Sequence, residues 1–340
     1  MRSFASDNNS GVHSAVMEAI SHANTGHALG YGDDQWTRNA EKKFKEIFGE
    51  ESETLFLFNG TGANSVALQL LLRPFNSIIC AETAHIYVDE CGAPCKMTGS
   101  QIRPIATEDG KLTPELIRPY LHGFGDHHHS QPKAIYISQC TELGTVYTLN
   151  EIKAITELAH SHGMYVHMDG ARIANAAAYL DVSLEAMTKG CGIDVLSFGG
   201  TKNGLMIGEC VVILNPGLIS DARFIRKQST QLSSKMRYLT CQFNAYLEND
   251  LWLNNAKHAN KMAQLLYREL SGIPSIRFTQ AIESNALFLQ MPRNWIDELL
   301  KKYFFYFWKE DKNEVRLVTS FDTTEEDVYD FIQTLKKIIG

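Results

Sequence analysis

The sequence has no run of about 18 or more apolar residues, so no transmembrane helix is expected. Its start, Met1-Arg2-Ser3-Phe4-Ala5-Ser6-Asp7-Asn8-Asn9, lacks the apolar core of a signal peptide, which leaves a cytoplasmic location as the expectation. A basic excess is also missing. The formal net charge of −7 and the pI near 6.0 argue against nucleic acid or an anionic membrane as partner. There is no internal repeat and no low-complexity stretch. The 7 cysteines are an odd number scattered through apolar runs, which suits reduced, mostly buried thiols rather than a disulfide framework. The close pair Cys91 and Cys95 lacks partners for a zinc site. His127-His128-His129 stands beside Gly123, Gly125 and Asp126 and reads as a solvated loop, so no metal is expected. What remains is a chain of 340 residues, 44% hydrophobic and 21% charged, ordinary for a globular enzyme with a large core and, by length, two domains.

The most informative stretch is 166–204. It reads V-H-M-D-G-A-R-I, then an alanine-rich run, then D-V-L-S-F-G-G-T-K-N-G. An apolar run at 164–168 delivers Asp169 and then Arg172. A second run at 195–198 delivers Gly199-Gly200-Thr201-Lys202. Asp169 and Lys202 are 202 − 169 = 33 residues apart, about one βαβ unit. Neighbouring parallel strands end on the same side of a sheet, and ligands bind at those ends. An acid and a lysine so placed suit pyridoxal phosphate, whose aldehyde forms a Schiff base with lysine and whose pyridine nitrogen pairs with an aspartate.

Other stretches add to that pair. A short strand at 54–58 is followed by Asn59-Gly60-Thr61-Gly62-Ala63-Asn64 and a helix expected over 65–72. A strand, a glycine turn and a helix N-terminus make an anion site, because free N–H groups and the helix dipole point at the ligand. Taken alone, the same residues are equally a simple βα turn. The stretch is not G-x-G-x-x-G and no Walker lysine follows, which disfavours a dinucleotide or ATP. His85 follows a strand at 77–80, where its imidazole can stack on a cofactor ring or sit as a loop histidine satisfied by backbone groups. The polar, glycine-rich start reads as an arm packed over a site or a partner subunit.

Strands and helices alternate through 214, which fits an α/β fold with a mostly parallel, doubly wound sheet. Beyond about 224 the chain turns helical, with one long helical pattern over 241–270, and then becomes a smaller α+β region. The expected division is 1–245, a large domain with an N-terminal arm, and 246–340, a small C-terminal domain. Arg316 alternates with Val315 and Leu317 in a strand at 314–318. Either it faces water or it is a buried arginine whose bidentate fork awaits a carboxylate.

Taken together, S-D-N (6–8), N-G-T-G-A-N (59–64), A-H-I (84–86) with D-E-C-G-A-P from Asp89, H-M-D-G-A-R (167–172), F-G-G-T-K-N-G (198–204) and R-L-V-T-S (316–320) resemble the threonine aldolases, within the β-eliminating lyase group. The resemblance runs in order along almost the whole chain. The T-K-N-G form is similar to the bacterial low-specificity and phenylserine aldolases. The resemblance implies the aspartate-aminotransferase fold type and pyridoxal phosphate as cofactor. It implies that Lys202 is the Schiff-base lysine, Asp169 the pyridine-nitrogen partner and His85 the ring-stacking residue. Gly60, Thr61 and Gly62 would hold the phosphate. Ser6, Arg172 and Arg316 would hold the substrate carboxylate or the cofactor's phenolic oxygen. Arg237 resembles an arginine that reaches the cofactor phosphate of a neighbouring subunit. A histidine before the 134–138 strand, for which His128 is preferred among three neighbours, would contact the substrate hydroxyl. Cys95 departs from the glutamate that many relatives carry after G-A-P.

The expected reaction is reversible cleavage of L-threonine, L-allo-threonine and related β-hydroxy-α-amino acids such as phenylserine into glycine and an aldehyde. The base for the β-hydroxyl is open among His85, His128 and a bound water, a histidine being suited by its titration near neutral pH. A β-eliminating lyase or an amino-acid racemase could use the same parts, and so could a non-catalytic protein of the same fold. The resemblance further implies a homodimer or homotetramer with sites between subunits.

Overall fold

In the computed structural model, which describes residues 2–340, the expected strands pair into two separate sheets. The larger has seven strands: β1 (Glu53–Leu57), β2 (Asn76–Ala81), β3 (Gln101–Ile105), β4 (Gln131–Ser138), β5 (Tyr165–Gly170), β6 (Val195–Gly199) and β7 (Glu209–Ile213). Their order is β1-β7-β6-β5-β4-β2-β3. Only β7 runs against the others, pairing antiparallel with both β1 and β6. The central strands read as near-continuous apolar runs because helices cover both faces. In β4, for instance, Ala134 through Ser138 are all buried.

The smaller sheet is antiparallel, with β8 (Arg277–Phe278), β9 (Ala286–Gln290), β10 (Tyr306–Lys309) and β11 (Glu314–Val318) in the order β10-β11-β9-β8. Its core, which includes Leu287, Leu289, Val315, Leu317, Phe331 and Leu335, is separate from the cores on the large sheet. Two elements join the halves. The helix Leu251–Ser271 buries Met262 and Leu266 in the small core and Ala256 in the large one. The N-terminal arm is the other. Phe4 is fully buried against Tyr303 and Phe331, and its backbone bonds Phe304 and Val318. Burial of one phenylalanine is worth about 1.5–3 kcal/mol, enough to anchor the residues that follow it.

Glycines fix how β5 and β6 meet. A Cβ on Gly170 would lie 2.8 Å from the Ser197 carbonyl oxygen, and one on Gly199 would lie 2.5 Å from the Ala171 carbonyl oxygen. The D-G-A-R and F-G-G-T-K motifs therefore interlock, and only glycine lets the two strand ends pass so closely. Below them, Phe44 of the helix Gln35–Phe48 packs edge-on against Phe56 of β1 and Phe198 of β6, at centroid distances of 5.7 and 5.4 Å.

Two expectations about elements are corrected. The helix after the glycine turn begins at Gly60 rather than at 65, because Asn59 caps it by accepting the Gly62 N–H at 2.7 Å. The long pattern over 241–270 is two helices, Arg237–Tyr246 and Leu251–Ser271. Asn249 and Asp250 take left-handed conformations between them, and these residue types tolerate that region well.

Candidate active site

The C-terminal ends of β4, β5 and β6 and the start of the helix Gly60–Leu71 enclose one cleft. Its lining includes Gly60, Asn64, His85, Ser138, Glu142, Asp169, Arg172 and Lys202. Asp169 is the penultimate residue of β5, level with Ser138 of β4 and Ser197 of β6. Lys202 sits in the 3₁₀ turn Thr201–Asn203, directly after β6. The pair that lies 33 residues apart in sequence thus opens into the same space.

Asp169 is buried and fully engaged. Its Oδ2 accepts the Tyr136 hydroxyl at 2.5 Å and the Asn64 amide at 2.8 Å, and its Oδ1 accepts the Ala171 N–H at 2.9 Å. Burial alone would raise its pKa, but these donors more than offset that and hold the carboxyl below the ordinary carboxylate range. Burial pushes the Tyr136 phenol far up, so it remains a donor. Lys202 shows the opposite shift. Burial, then the neighbouring Arg172 charge, lowers its ammonium, which raises the fraction of free amine.

At the other end of the cleft the helix Gly60–Leu71 presents its N-terminus. The backbone N–H groups of Gly60 and Thr61 have no protein partner among the described residues, whereas Gly62 is taken by the Asn59 cap. A Cβ on Gly62 would lie 2.5–2.8 Å from the Gln231 side chain, whose Oε1 is itself held by the Phe58 N–H. Gly60 and Asn64 line the cleft, while Thr61 and Gly62, between them in the sequence, are not part of its lining.

Arg172 is locked in place. Its Nε and Nη2 donate to the two oxygens of Asp7 at 2.7 Å each, and Asn285 adds a third bond to Asp7 at 3.1 Å. The arm therefore packs over the cleft, as one of its two expected placements has it. Ser6, next to Asp7, is half-buried and caps the turn Asp7–Asn9 by accepting the Asn8 N–H. Arg316 is half-buried, not solvated. Its Nη2 donates to the Ala5 carbonyl at 3.2 Å, its guanidinium lies 5.5 Å from the Trp308 ring centroid, and its Nε is buried with no partner. Burial and the Arg172 charge lower its pKa, while Asp7 opposes them. Arg172 takes both oxygens of Asp7 and Arg316 makes no ion pair of its own, which leaves cationic capacity for another anion.

His85 is held at two points. Its backbone N–H donates to Glu142 Oε1 at 2.9 Å, and its Nδ1 lies 2.9 Å from Glu90 Oε1. The Glu90 bond, against the opposing effect of burial, raises the imidazole pKa. Burial raises the Glu142 carboxyl. Behind the lysine turn, buried Glu209 accepts the Gly200 and Thr201 N–H groups and is pushed by burial to about 7.

Two expected residues lie elsewhere in this chain. His128 is exposed in the loop before β4, at the N-terminal edge of the sheet. In the same loop Phe124 stacks on His162, which caps the helix leading to β5. Asp169 is at the opposite edge, and β4 with its 8 residues spans about 26 Å between them. His128 therefore does not enter its own chain's cleft. It lies instead with Asp126 and His127, their ligand atoms within 4.8 Å of one another. Arg237 is also outside the cleft, donating to the Thr25 and Gly26 carbonyls and lying against Trp36.

Five contributing residues carry no assignment at the level of sequence: Asp7, Asn64, Glu90, Tyr136 and Glu142. Three of them stand inside motifs already singled out, S-D-N, N-G-T-G-A-N and D-E-C-G-A-P. Tyr136 leaves a fainter signal, a hydroxyl inside the apolar run 134–137 that needs a buried acceptor.

This set fits pyridoxal phosphate by donor chemistry: a lysine whose ammonium burial disfavours, a carboxylate held below its ordinary range, unpartnered N–H groups at a helix N-terminus, and a buried unpartnered arginine nitrogen. Comparison with known proteins agrees. The β-eliminating lyase family model matches residues 3–292. The chain is 40% identical over 338 residues to a low-specificity L-threonine aldolase of Pseudomonas aeruginosa, covering 99% of this chain and 98% of that protein. A threonine aldolase structure from Leishmania major superposes with a TM-score of 0.94 at 32% identity, covering 100% of both chains. An aspartate aminotransferase from Thermus thermophilus shares the fold, with a TM-score of 0.69 at 16% identity.

Proposed function

The chain belongs to the β-eliminating lyase family, and on that premise we propose how its cleft cleaves threonine. It is a pyridoxal-phosphate-dependent aldehyde-lyase that splits L-threonine, L-allo-threonine and related β-hydroxy-α-amino acids into glycine and an aldehyde, reversibly. The observation that supports the assignment of residues is that Asp169, Lys202 and Arg172 share one cleft with a helix N-terminus. No helix among the described residues is long and apolar enough to cross a membrane.

When bound, pyridoxal phosphate supplies the sink for the electron pair released as the Cα–Cβ bond breaks. The chain does the rest. Lys202, its ammonium depressed, offers a free amine to the cofactor's aldehyde. Asp169, kept ionised by Tyr136 and Asn64, pairs with the pyridine nitrogen. Gly60, Thr61 and Gly62 hold the phosphate at the helix N-terminus. Arg172 and Arg316, with Ser6 beside them, would hold the substrate carboxylate and so fix the orientation of the Cα–Cβ bond. The β-hydroxyl gives its proton to a base, its oxygen becomes the aldehyde carbonyl, and Cα takes a proton to give glycine. His85, which lines the cleft, would stack on the cofactor's ring.

Arg237 points away from its own cleft, and in this reading it serves a neighbouring subunit's phosphate in a homodimer or homotetramer. The same reading divides the chain at 245/246 and places the protein in the cytoplasm. Relatives matched along the whole length are threonine aldolases, so aldehyde release is the expected outcome. Incubating the cofactor-loaded protein with L-threonine should give glycine and acetaldehyde in equal amounts. 2-Oxobutanoate with ammonia would make it a β-eliminating lyase, and D-allo-threonine without cleavage a racemase.

A further inference from the structure

Glu90 has no role in the mechanism above, yet its side chain is fully buried beside the cleft. One of its oxygens, Oε1, receives two contacts: the Asn64 amide at 2.7 Å and His85 Nδ1 at 2.9 Å. The same Asn64 nitrogen also donates to Asp169 Oδ2 at 2.8 Å. Both hydrogens of the Asn64 amide are thus spent on carboxylates, which fixes which end of the amide is the nitrogen. The other oxygens of this chain of contacts, Asn64 Oδ1 and Glu90 Oε2, are buried with no partner.

We infer that Glu90 is a positioning residue for the cleavage: it fixes His85 as the Nδ1–H tautomer and so leaves Nε2 as the proton acceptor facing the cleft. The inference rests on the aldolase reading for its catalytic consequence, though not for the tautomer itself. An ionised carboxylate has no hydrogen to give. The hydrogen in the 2.9 Å contact must then come from His85 Nδ1, and the neutral ring carries its lone pair on Nε2. Among the described residues Nε2 has no protein partner, while the ring lines the cleft. The Glu142 bond to the His85 backbone prevents the ring from sliding off Glu90. A carboxylate that orients a catalytic imidazole in this way acts through tautomer and orientation, without itself taking the proton.

The groups facing His85 are Glu90, Glu142, Asp169 and Lys202. Of these, Glu90 raises the imidazole most, so the wild-type rate should fall as pH drops through a limb above the ordinary histidine value of 6.5. A protonated Nε2 has no lone pair with which to accept a proton, so the acid form is the inactive one.

Two measurements on the cofactor-loaded full chain test this. The first is ¹⁵N NMR with labelled histidine, the His85 signals being those lost in His85→Asn. The expected wild-type spectrum at alkaline pH shows hydrogen on Nδ1 and none on Nε2. Hydrogen on Nε2 would overturn the inference, and no variant of Glu90 is needed to see it. The second is Glu90→Leu, which removes the one oxygen that accepts from both Asn64 and His85 Nδ1 and so leaves the tautomer unfixed. The cofactor's visible band should persist and KM for L-threonine should change little, while kcat falls by about 10²–10⁴, the range for losing a general base or its orienting carboxylate. The acid limb of the residual activity should move to lower pH. Wild-type kcat with an unmoved limb sinks the proposal. If the wild-type protein releases no aldehyde, the aldolase reading fails, and the spectrum still decides the tautomer.

Discussion

Replacing Asp7 with asparagine removes one charge from a bidentate ion pair and leaves Arg172 without its partner. Asp7 is 2% exposed at its side chain and Arg172 19%. Breaking a buried pair by removing one member costs about 3–5 kcal/mol. The partial exposure of Arg172 lets water reach the orphaned guanidinium, so the lower end, about 3 kcal/mol, applies. A chain of 340 residues has an unfolding entropy of roughly 0.7 kcal/mol per kelvin at ~2.1 cal/mol/K per residue, so the midpoint should fall by about 4 °C. The bond also aims Arg172, so KM for L-threonine should rise by about tenfold or more, the equivalent of one charged hydrogen bond, while kcat changes less. Thermal melts and steady-state kinetics on the loaded enzyme read both effects. The pH dependence has a definite sign. Burial raises Asp7, but the charge and hydrogen bonds of Arg172 overcome this and leave its pKa below the ordinary 3.8. The pair's contribution is therefore complete above about pH 4 and is lost as pH falls below that through the folded-state value. A melting point within 1 °C of wild type, together with an unchanged KM, would refute the view that Asp7 holds Arg172 for the substrate.

Other changes probe the rest of the cleft. Lys202→Ala should abolish the visible band of the bound cofactor and lower turnover below detection, and a borohydride-reducible adduct in that variant would exclude Lys202 as the attachment point. Tyr136→Phe removes a charge-assisted bond to Asp169 worth about 1.5–3 kcal/mol, so cofactor affinity, measured by titrating the apoprotein, should weaken by roughly ten- to a hundredfold. Unaltered affinity would detach Tyr136 from the pyridine end. Gly199→Ala forces a methyl to within 2.5 Å of the Ala171 backbone, and because that neighbour cannot rotate away, the melting point should drop by at least the few degrees expected of a 1–3 kcal/mol overpacking cost.

Much of this site can be read from short stretches because its central chemistry is local. Asp169 and Lys202 each end an apolar run, and the glycines that let β5 and β6 pass closely stand next to them in the same motifs. A strand end followed by a fixed turn points its next residues at the sheet's edge whatever lies further away, so the pair, the glycine loop at Gly60 and the strand alternation are legible at once. Helix limits were less legible. The start at Gly60 depends on an Asn59 cap, and the break at Asn249 and Asp250 depends on two left-handed residues inside an otherwise helical pattern.

What the linear order could not decide is which residues meet across the chain. Arg172 finds Asp7 across 165 positions and Asp169 finds Asn64 across 105. Such contacts are made by the packing of the arm, the helices and the two sheets, and a polar residue carries no mark of its distant partner. The same holds for Arg316, whose alternation with apolar neighbours allowed either solvent or burial until β11 was seated beside the arm. It holds for His128, whose place before β4 puts it at the far edge of a parallel sheet, a distance that only the strand direction reveals. Sequence alone determined the cofactor chemistry, through residues fixed by local turns. Tertiary structure decided the charge states and orientations that make those residues work, because desolvation and hydrogen bonding come from whatever the fold brings alongside.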